Sequence, residues 1–160
     1  MAIDRNNVKI VQALLRSPEV DVNGSAVEPY SPLFLGCKEG KLDVVKALLV
    51  HCNIQVNKAS KKNAVTPLMI AIGYNHRDVV AELLEHKDID VNLQAKDGNF
   101  PLMVAVNNKQ DCEILEMLLR HPKTQLIAGD GALTDLGQRA LDYAVSEGNE
   151  QAEALIRAKL

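Results

Sequence analysis

His51, His86 and His121 are the residues whose type and spacing first suggest chemistry, because each follows a Leu-Leu pair by two positions and they stand 35 residues apart. A column of imidazoles could ligate a metal. If the repeat places them on successive packed helices, however, they lie about 8–10 Å apart, whereas all ligands of one zinc lie about 2 Å from it. The expected role is structural: a ring near the C-terminal end of a helix, where it suits the dipole. Other candidates fail on spacing. Gly129-x-Gly131 with Gly137 lacks the G-x-G-x-x-G order and follows no expected strand, so it makes no phosphate cradle. Asp97-x-Asn99 opens like a calcium loop, but Pro101-Leu102 occupy the next ligand and glycine positions. Cys37, Cys52 and Cys112 form no C-x-x-C pair and read as reduced thiols. No nucleophile–base signature appears, so the expectation is no enzyme, no cofactor and no metal.

Composition narrows the class further. Hydrophobic residues make up 47% of the 160, yet aromatics only 3%, with no Trp. A single deep core usually needs large rings to fill it; a core of Leu, Val, Ile and Ala suits layers one helix pair thick. The net charge of −3 gives no basic footprint for nucleic acid. No apolar run approaches a membrane span and no signal-peptide core is recognisable. A cytoplasmic monomer is expected, with no nucleic acid and no membrane among its partners.

The elements that would position these residues recur. Thr66-Pro67-Leu68-Met69-Ile70-Ala71 is echoed by Ser31-Pro32-Leu33-Phe34-Leu35-Gly36, Phe100-Pro101-Leu102-Met103-Val104-Ala105 and Arg139-Ala140-Leu141-Asp142-Tyr143-Ala144. Each reads as a helix start: a hydroxyl cap, Pro at the first helical position, apolar positions, then a small residue. Leu14-Leu15, Leu48-Leu49, Leu83-Leu84 and Leu118-Leu119 are spaced 34, 35 and 35, and Val22-Asn23, Val56-Asn57 and Val91-Asn92 are spaced 34 and 35. T-P-L-x-x-A at this period resembles the ankyrin repeat. The resemblance implies an all-α, ankyrin-type α-solenoid of stacked helix–turn–helix repeats with protruding β-hairpin loops. It covers nearly the whole chain, taken as one domain, 1–160: a partial repeat 1–23, then repeats about 24–57, 58–92, 93–127 and 128–160.

Taken in order, the first repeat supplies a helix carrying Val8, Ile10, Val11, Leu14 and Leu15 at helical spacing; it is either a worn cap or a piece of a longer array. The second places Val44, Val45 and Leu48 inward, and the third, closest to the family pattern, Val79, Val80, Leu83 and Leu84. Its turn is Asn75-His76 where the family usually has Gly-His. The fourth loses its cap hydroxyl to Phe100, carries an insertion in the turn 107–111, and ends Gln125-Leu126-Ile127 rather than in Val-Asn. Ala128–Ala132 is expected to be the most mobile loop. The fifth repeat restarts at Arg139, and its last helix turns Ala152, Leu155, Ile156 and Leu160 inward. Ala158-Lys159-Leu160 also resembles a peroxisomal address, a reading the helix makes the weaker one.

In the family, hairpin tips and the exposed side of the first helices line a concave face that binds proteins. The resemblance carries this onto Tyr30, Lys38 and Glu39 of the second repeat, Lys62, Asn63 and Tyr74 of the third, Lys96, Asp97, Asn99, Asn107 and Asn108 of the fourth, and Gln138 of the fifth. Ser25, Val27, Glu28, Ser60 and Asp135 fall at further variable positions. Exposed Tyr is a favoured interface anchor. Lys58, Lys61 and Lys62 make one hairpin basic, as a solvated tip. The implied function is a non-enzymatic adaptor or scaffold for a protein partner; the alternatives are an inhibitor covering another enzyme's surface and a structural spacer in a longer array.

Overall fold

The structure is a computed structural model and describes residues 8–17, 19–24, 29–108, 112–127 and 134–160. Within them nine helices follow in order: α1 (Val8–Leu15), α2 (Pro32–Lys38), α3 (Leu42–Leu49), α4 (Pro67–Gly73), α5 (Arg77–Leu84), α6 (Pro101–Val106), α7 (Glu113–Arg120), α8 (Asp135–Ser146) and α9 (Glu150–Arg157). No β-strand and no helix long and apolar enough to cross a membrane occurs among the described residues. The fold is all-α, of the ankyrin type. The expected hairpins are tight turns: Ser60 N–H donates to Val65 O at 2.8 Å, and Ala95 N–H to Asn99 O at 2.8 Å.

The chain forms two compact units, Met1–Ile89 and Asp90–Leu160. In the first, α2 packs beside α4, while α3 packs between α1 and α5. The core is Leu33, Phe34, Val44, Val45, Leu48, Leu68, Ile72, Val79, Val80 and Leu83. In the second, α6–α7 and α8–α9 pair, with Phe100, Leu102, Ile114, Leu115, Leu118, Ala140 and Ile156 buried. Leu84 and Leu155 are only half-buried. α1 departs from expectation: Val11 alone of its six apolar residues is buried, and Ile10 and Leu14, one turn apart, are each 48% exposed.

Local chemistry explains the helix boundaries. Ser31 and Thr66 accept from the N–H of Phe34 at 3.1 Å and of Met69 at 3.2 Å, with Pro following at the first helical position. Phe100 offers no cap and is instead buried, its ring 5.3 Å beneath the Arg139 guanidinium. The last first-helix corrects the sequence reading. It begins at Asp135, not Arg139, because Thr134 caps it by accepting from Gly137 N–H at 2.9 Å. Arg139 then lies a turn inside α8 and donates to Gly98 O at 2.6 Å and Gln94 Oε1 at 3.3 Å. Leu160 is 49% exposed, so it does not pack inward as expected. Residues 1–7, 109–111 and 128–132, with the opening of the partial first repeat, part of the turn insertion and the glycine-rich loop, lie outside the described residues.

Within three repeats the turn between helices is one motif. Lys41 N–H bonds Gly36 O at 3.0 Å, His76 bonds Ala71 O at 3.0 Å, and Asn149 bonds Ala144 O at 2.9 Å. The preceding residue is left-handed each time: Gly40 at φ 64°, Asn75 at φ 57° and Gly148 at φ 63°. Asn tolerates this conformation better than other side-chain-bearing residues, which explains its place in the third repeat.

Candidate interaction surface

The first unit supplies six of the expected contact residues, in two groups at opposite ends of its first helices. One group lies where α2 and α4 end. Tyr74 is the C-cap of α4 and 53% exposed. Its ring runs nearly parallel to that of His76, with 6.1 Å between centroids. His76 Nε2 in turn bonds Lys38 O at 3.0 Å, which brings Lys38 and exposed Glu39 beside the pair. The imidazole sits against the backbone of Gly40; a Cβ there would lie 2.6 Å from its Nδ1. Glycine is therefore required at this position by close approach as well as by φ.

The other group lies at the opposite end. Tyr30, 40% exposed, stacks on buried Phe34 at 4.8 Å between centroids. The loop 58–65 presents Lys62 and Asn63, both exposed. Lys61 N–H donates to Pro29 O at 3.3 Å and so joins this loop to the residue before Tyr30. Helix α2 has seven residues, so the groups are separated by about 10 Å along its axis.

Two neighbours differ from expectation. Ser60 is 6% exposed, its Oγ accepting from Val65 N–H at 3.1 Å, so it closes the loop and offers no contact. Lys58 is no solvated tip: its Nζ donates to Asn23 O at 3.0 Å and Gly24 O at 3.4 Å, strapping the first repeat's loop. Ser25, Val27 and Glu28 lie outside the described residues.

In the second unit, Lys96 and Asp97 are exposed and Asn99 is half-buried. Asp97 accepts at both oxygens from Asn99, from its N–H at 3.0 Å and its Nδ2 at 2.9 Å, and Gly98 O accepts from Arg139, so the tip is closed on itself and tied to α8. Asn107 is exposed and Asn108 half-buried just after α6. Gln138 was expected on a variable loop and stands inside α8, where its Nε2 donates to Asp142 Oδ1 at 2.7 Å. Asp135 lies in the same first turn, 3.7 Å from Arg139 Nη1. Both displacements follow from the cap at Thr134.

The histidines of the periodic column have a shared local task. His51, His86 and His121 accept at Nδ1 from the N–H of Asn53, Asp88 and Lys123 at 3.2, 3.2 and 3.3 Å. Each of those residues, through its carbonyl, accepts from the Asn ending the previous repeat: Asn23, Asn57 and Asn92, at 2.8, 2.8 and 2.7 Å. The ring is thus an acceptor closing a turn, which the expected dipole role did not capture. No group of three or more His, Cys, Asp or Glu side chains is placed to hold a metal among the described residues. Asn149 plays a related part in the last repeat: it is 6% exposed, donates to Val106 O at 2.7 Å and accepts from Ala152 N–H at 3.0 Å. The recurrence of Val-Asn marks the first three Asn residues in sequence; Asn149 is marked only by the turn at Gly148.

A family model described as ankyrin repeats, in three copies, matches residues 1–95. No curated protein matches the chain. Repeats of this kind are generally protein–protein interaction modules and typically non-enzymatic. Past residue 95 the paired helices α6–α7 and α8–α9 continue, with Phe100 and Ile127 at the positions where the earlier repeats have a cap hydroxyl and Asn. From the match over residues 1–95, with the recurrent cap, turn and Asn bonds, the chain belongs to the ankyrin-repeat family.

Proposed function

We propose that this protein is a non-enzymatic recognition module that binds a protein partner through the first-helix ends and loop tip of the first unit. The observation that carries this reading is Tyr74, an aromatic ring with half its surface in solvent and yet held in one place. His76 backs it, and His76 is itself seated on Gly40 and bonded to Lys38 O. A rigid exposed aromatic offers contact area at little cost in ordering, the property that makes Tyr a frequent interface anchor. A cytoplasmic adaptor or scaffold, acting as a monomer, is the form of this role that the composition favours.

The test is affinity capture with mass spectrometry, followed by titration of the recovered partner. Tyr74→Ala is expected to weaken binding by about 2 kcal/mol while changing stability little. Glu82 is a poor control, because its carboxylate lies 3.4 Å from Lys46 Nζ on the neighbouring helix. Exposed Glu85 serves instead, and Glu85→Ala should change neither property. Undiminished binding by Tyr74→Ala would overturn the reading.

A further inference from the structure

Three of the four histidines make the same bond, and its polarity decides what a proton does to it. A backbone N–H can only donate, so Nδ1 of His51, His86 and His121 keeps its lone pair and the ring proton sits on Nε2. The geometry is that of an Asx turn, in which a side chain accepts from the N–H two residues on. Asp21, Asp90 and Asp97 make the same turn with a carboxylate oxygen, accepting from the N–H of Asn23, Asn92 and Asn99 at 2.9, 2.9 and 3.0 Å. His76 is the opposite case. Its Nε2 donates to Lys38 O, a bond that a protonated ring keeps.

Each turn that a ring closes also carries an Asn bridge from the repeat before. Asn23 donates to Asn53 O at 2.8 Å and accepts from Gln55 N–H at 2.7 Å. Asn92 does the same with Lys123 O at 2.7 Å and Gln125 N–H at 3.1 Å, and Asn57 donates to Asp88 O at 2.8 Å. All three rings are half-buried and so reach water. On their own turns stand Cys52 beside His51, Glu85, Lys87 and Asp88 around His86, and Arg120 and Lys123 around His121. Across the seams stand Asp21 and Lys58 at Asn23, Asp90 at Asn92, and Lys159 of α9, which lines the same cleft as His121. Carboxylates titrate well below imidazole, and thiols, lysines and arginines well above it, so between about pH 7.5 and about pH 5 the rings are the groups that change charge.

We propose that His51, His86 and His121 make the seams between successive repeats acid-sensitive: a proton taken up at Nδ1 ends the turn bond and loosens the Asn bridge built on that turn. A protonated ring carries N–H at both nitrogens, so two donors would face each other across the 3.2–3.3 Å that the bond now spans. The ring must then turn away into water and leave the turn open. In the unfolded chain the ring takes a proton without losing a bond, whereas in the folded chain it gives one up. Stability is therefore full while the rings are neutral and falls as the pH drops through the imidazole range. His76 keeps its bond throughout, so the backing of Tyr74 survives the acid that loosens the seams.

The test uses the full chain labelled with nitrogen-15. Two-bond proton–nitrogen correlations of the rings should show the Nε2–H tautomer at His51, His86 and His121 near neutral pH. As the pH falls from about 7.5 to about 5, the amide signals of Asn53, Asp88 and Lys123 and the side-chain amides of Asn23, Asn57 and Asn92 should move with the titration of the rings. Chemical denaturation reads the consequence: the folding constant should fall by up to about fivefold for each ring protonated, the equivalent of one turn bond. In the variant His51→Asn, His86→Asn, His121→Asn an amide oxygen stands in for Nδ1 and takes up no proton. It should match the wild type at about pH 7.5 and exceed it at about pH 5, with His76 and the carboxylates common to both. The single variants should each remove one share of the difference, and they carry the comparison where the triple variant does not fold. An Nδ1–H tautomer at these rings, or the same pH dependence in the wild type and the Asn variants, would overturn the proposal.

Discussion

Ala64 and Gly98 occupy the same place in successive loops, both with positive φ, and only one of them is a residue built for it. Ala64→Gly relieves the strain of the left-handed backbone but adds freedom to the unfolded chain. The first effect is the larger, so chemical denaturation should show a gain of about 0.5–1 kcal/mol; a loss would mean that the methyl group makes contacts outweighing its conformation. The thiols give a second check on single residues. Cys37 is 0% exposed and burial pushes its pKa up, while Cys112 is 6% exposed and Cys52 lies on the surface. Nucleophilicity resides in the thiolate, so in native protein a chromogenic disulfide reagent should label Cys52 alone, and all three thiols should react in denaturant. Rapid native labelling of Cys37 would place it outside the core.

At the level of elements, the bond from a His ring to the turn and from the turn to the preceding Asn links one repeat to the next. His86 Nδ1 holds Asp88 N–H, and Asp88 O holds Asn57 Nδ2. Each half should contribute about 1 kcal/mol. If the ring fixes the turn on which Asn57 depends, the two losses should not add. In a cycle of His86→Ala, Asn57→Ala and the double variant, the coupling should reach about 0.5 kcal/mol or more; simple additivity would mean the turn holds its shape without the ring. This link also shows what the sequence discloses. The caps at Ser31 and Thr66 are legible because cap, Pro and first N–H groups are neighbours in the chain. The start of α8 at Asp135 was hidden by motif and not by spacing: Asp135 stands on the period, 34 residues after Pro101, but Arg139-Ala140-Leu141, whose Ala140 lies 39 residues after Pro101, looks more like the recurring helix start. Arg139 on Phe100 was hidden for a different reason: its partners Gln94 and Gly98 lie 45 and 41 residues away. The surface is less legible still. Tyr74 could be placed at a turn from the period alone, but its backing by His76 depends on the missing side chain of Gly40.

For the whole molecule, a repeat protein has no single deep core; each layer is buried by its neighbours, so the cost of a lesion depends on where it falls. Leu83 is 0% exposed in α5, whereas Leu155 in α9 is only half-buried. Leu83→Ala should therefore cost about 2–5 kcal/mol, the range for a large-to-small change in a packed core, and Leu155→Ala less. Hydrogen exchange adds a distribution to that total. If stability passes between nearest neighbours, Leu83→Ala should strip protection first from α4 and α5 and from α3 beside them, while α8 and α9 in the other unit keep more of theirs. A uniform loss over both units would show one cooperative block, and the nearest-neighbour account would then be wrong. The location of the loss also bears on function. Tyr74 caps the end of α4, so a variant that loosens α4 should weaken partner binding even where Tyr74 itself is intact. Binding by Leu83→Ala, measured at a temperature where most of the protein is still folded, should fall further than binding by Leu155→Ala. Equal affinities would detach the recognition surface from the repeat that presents it.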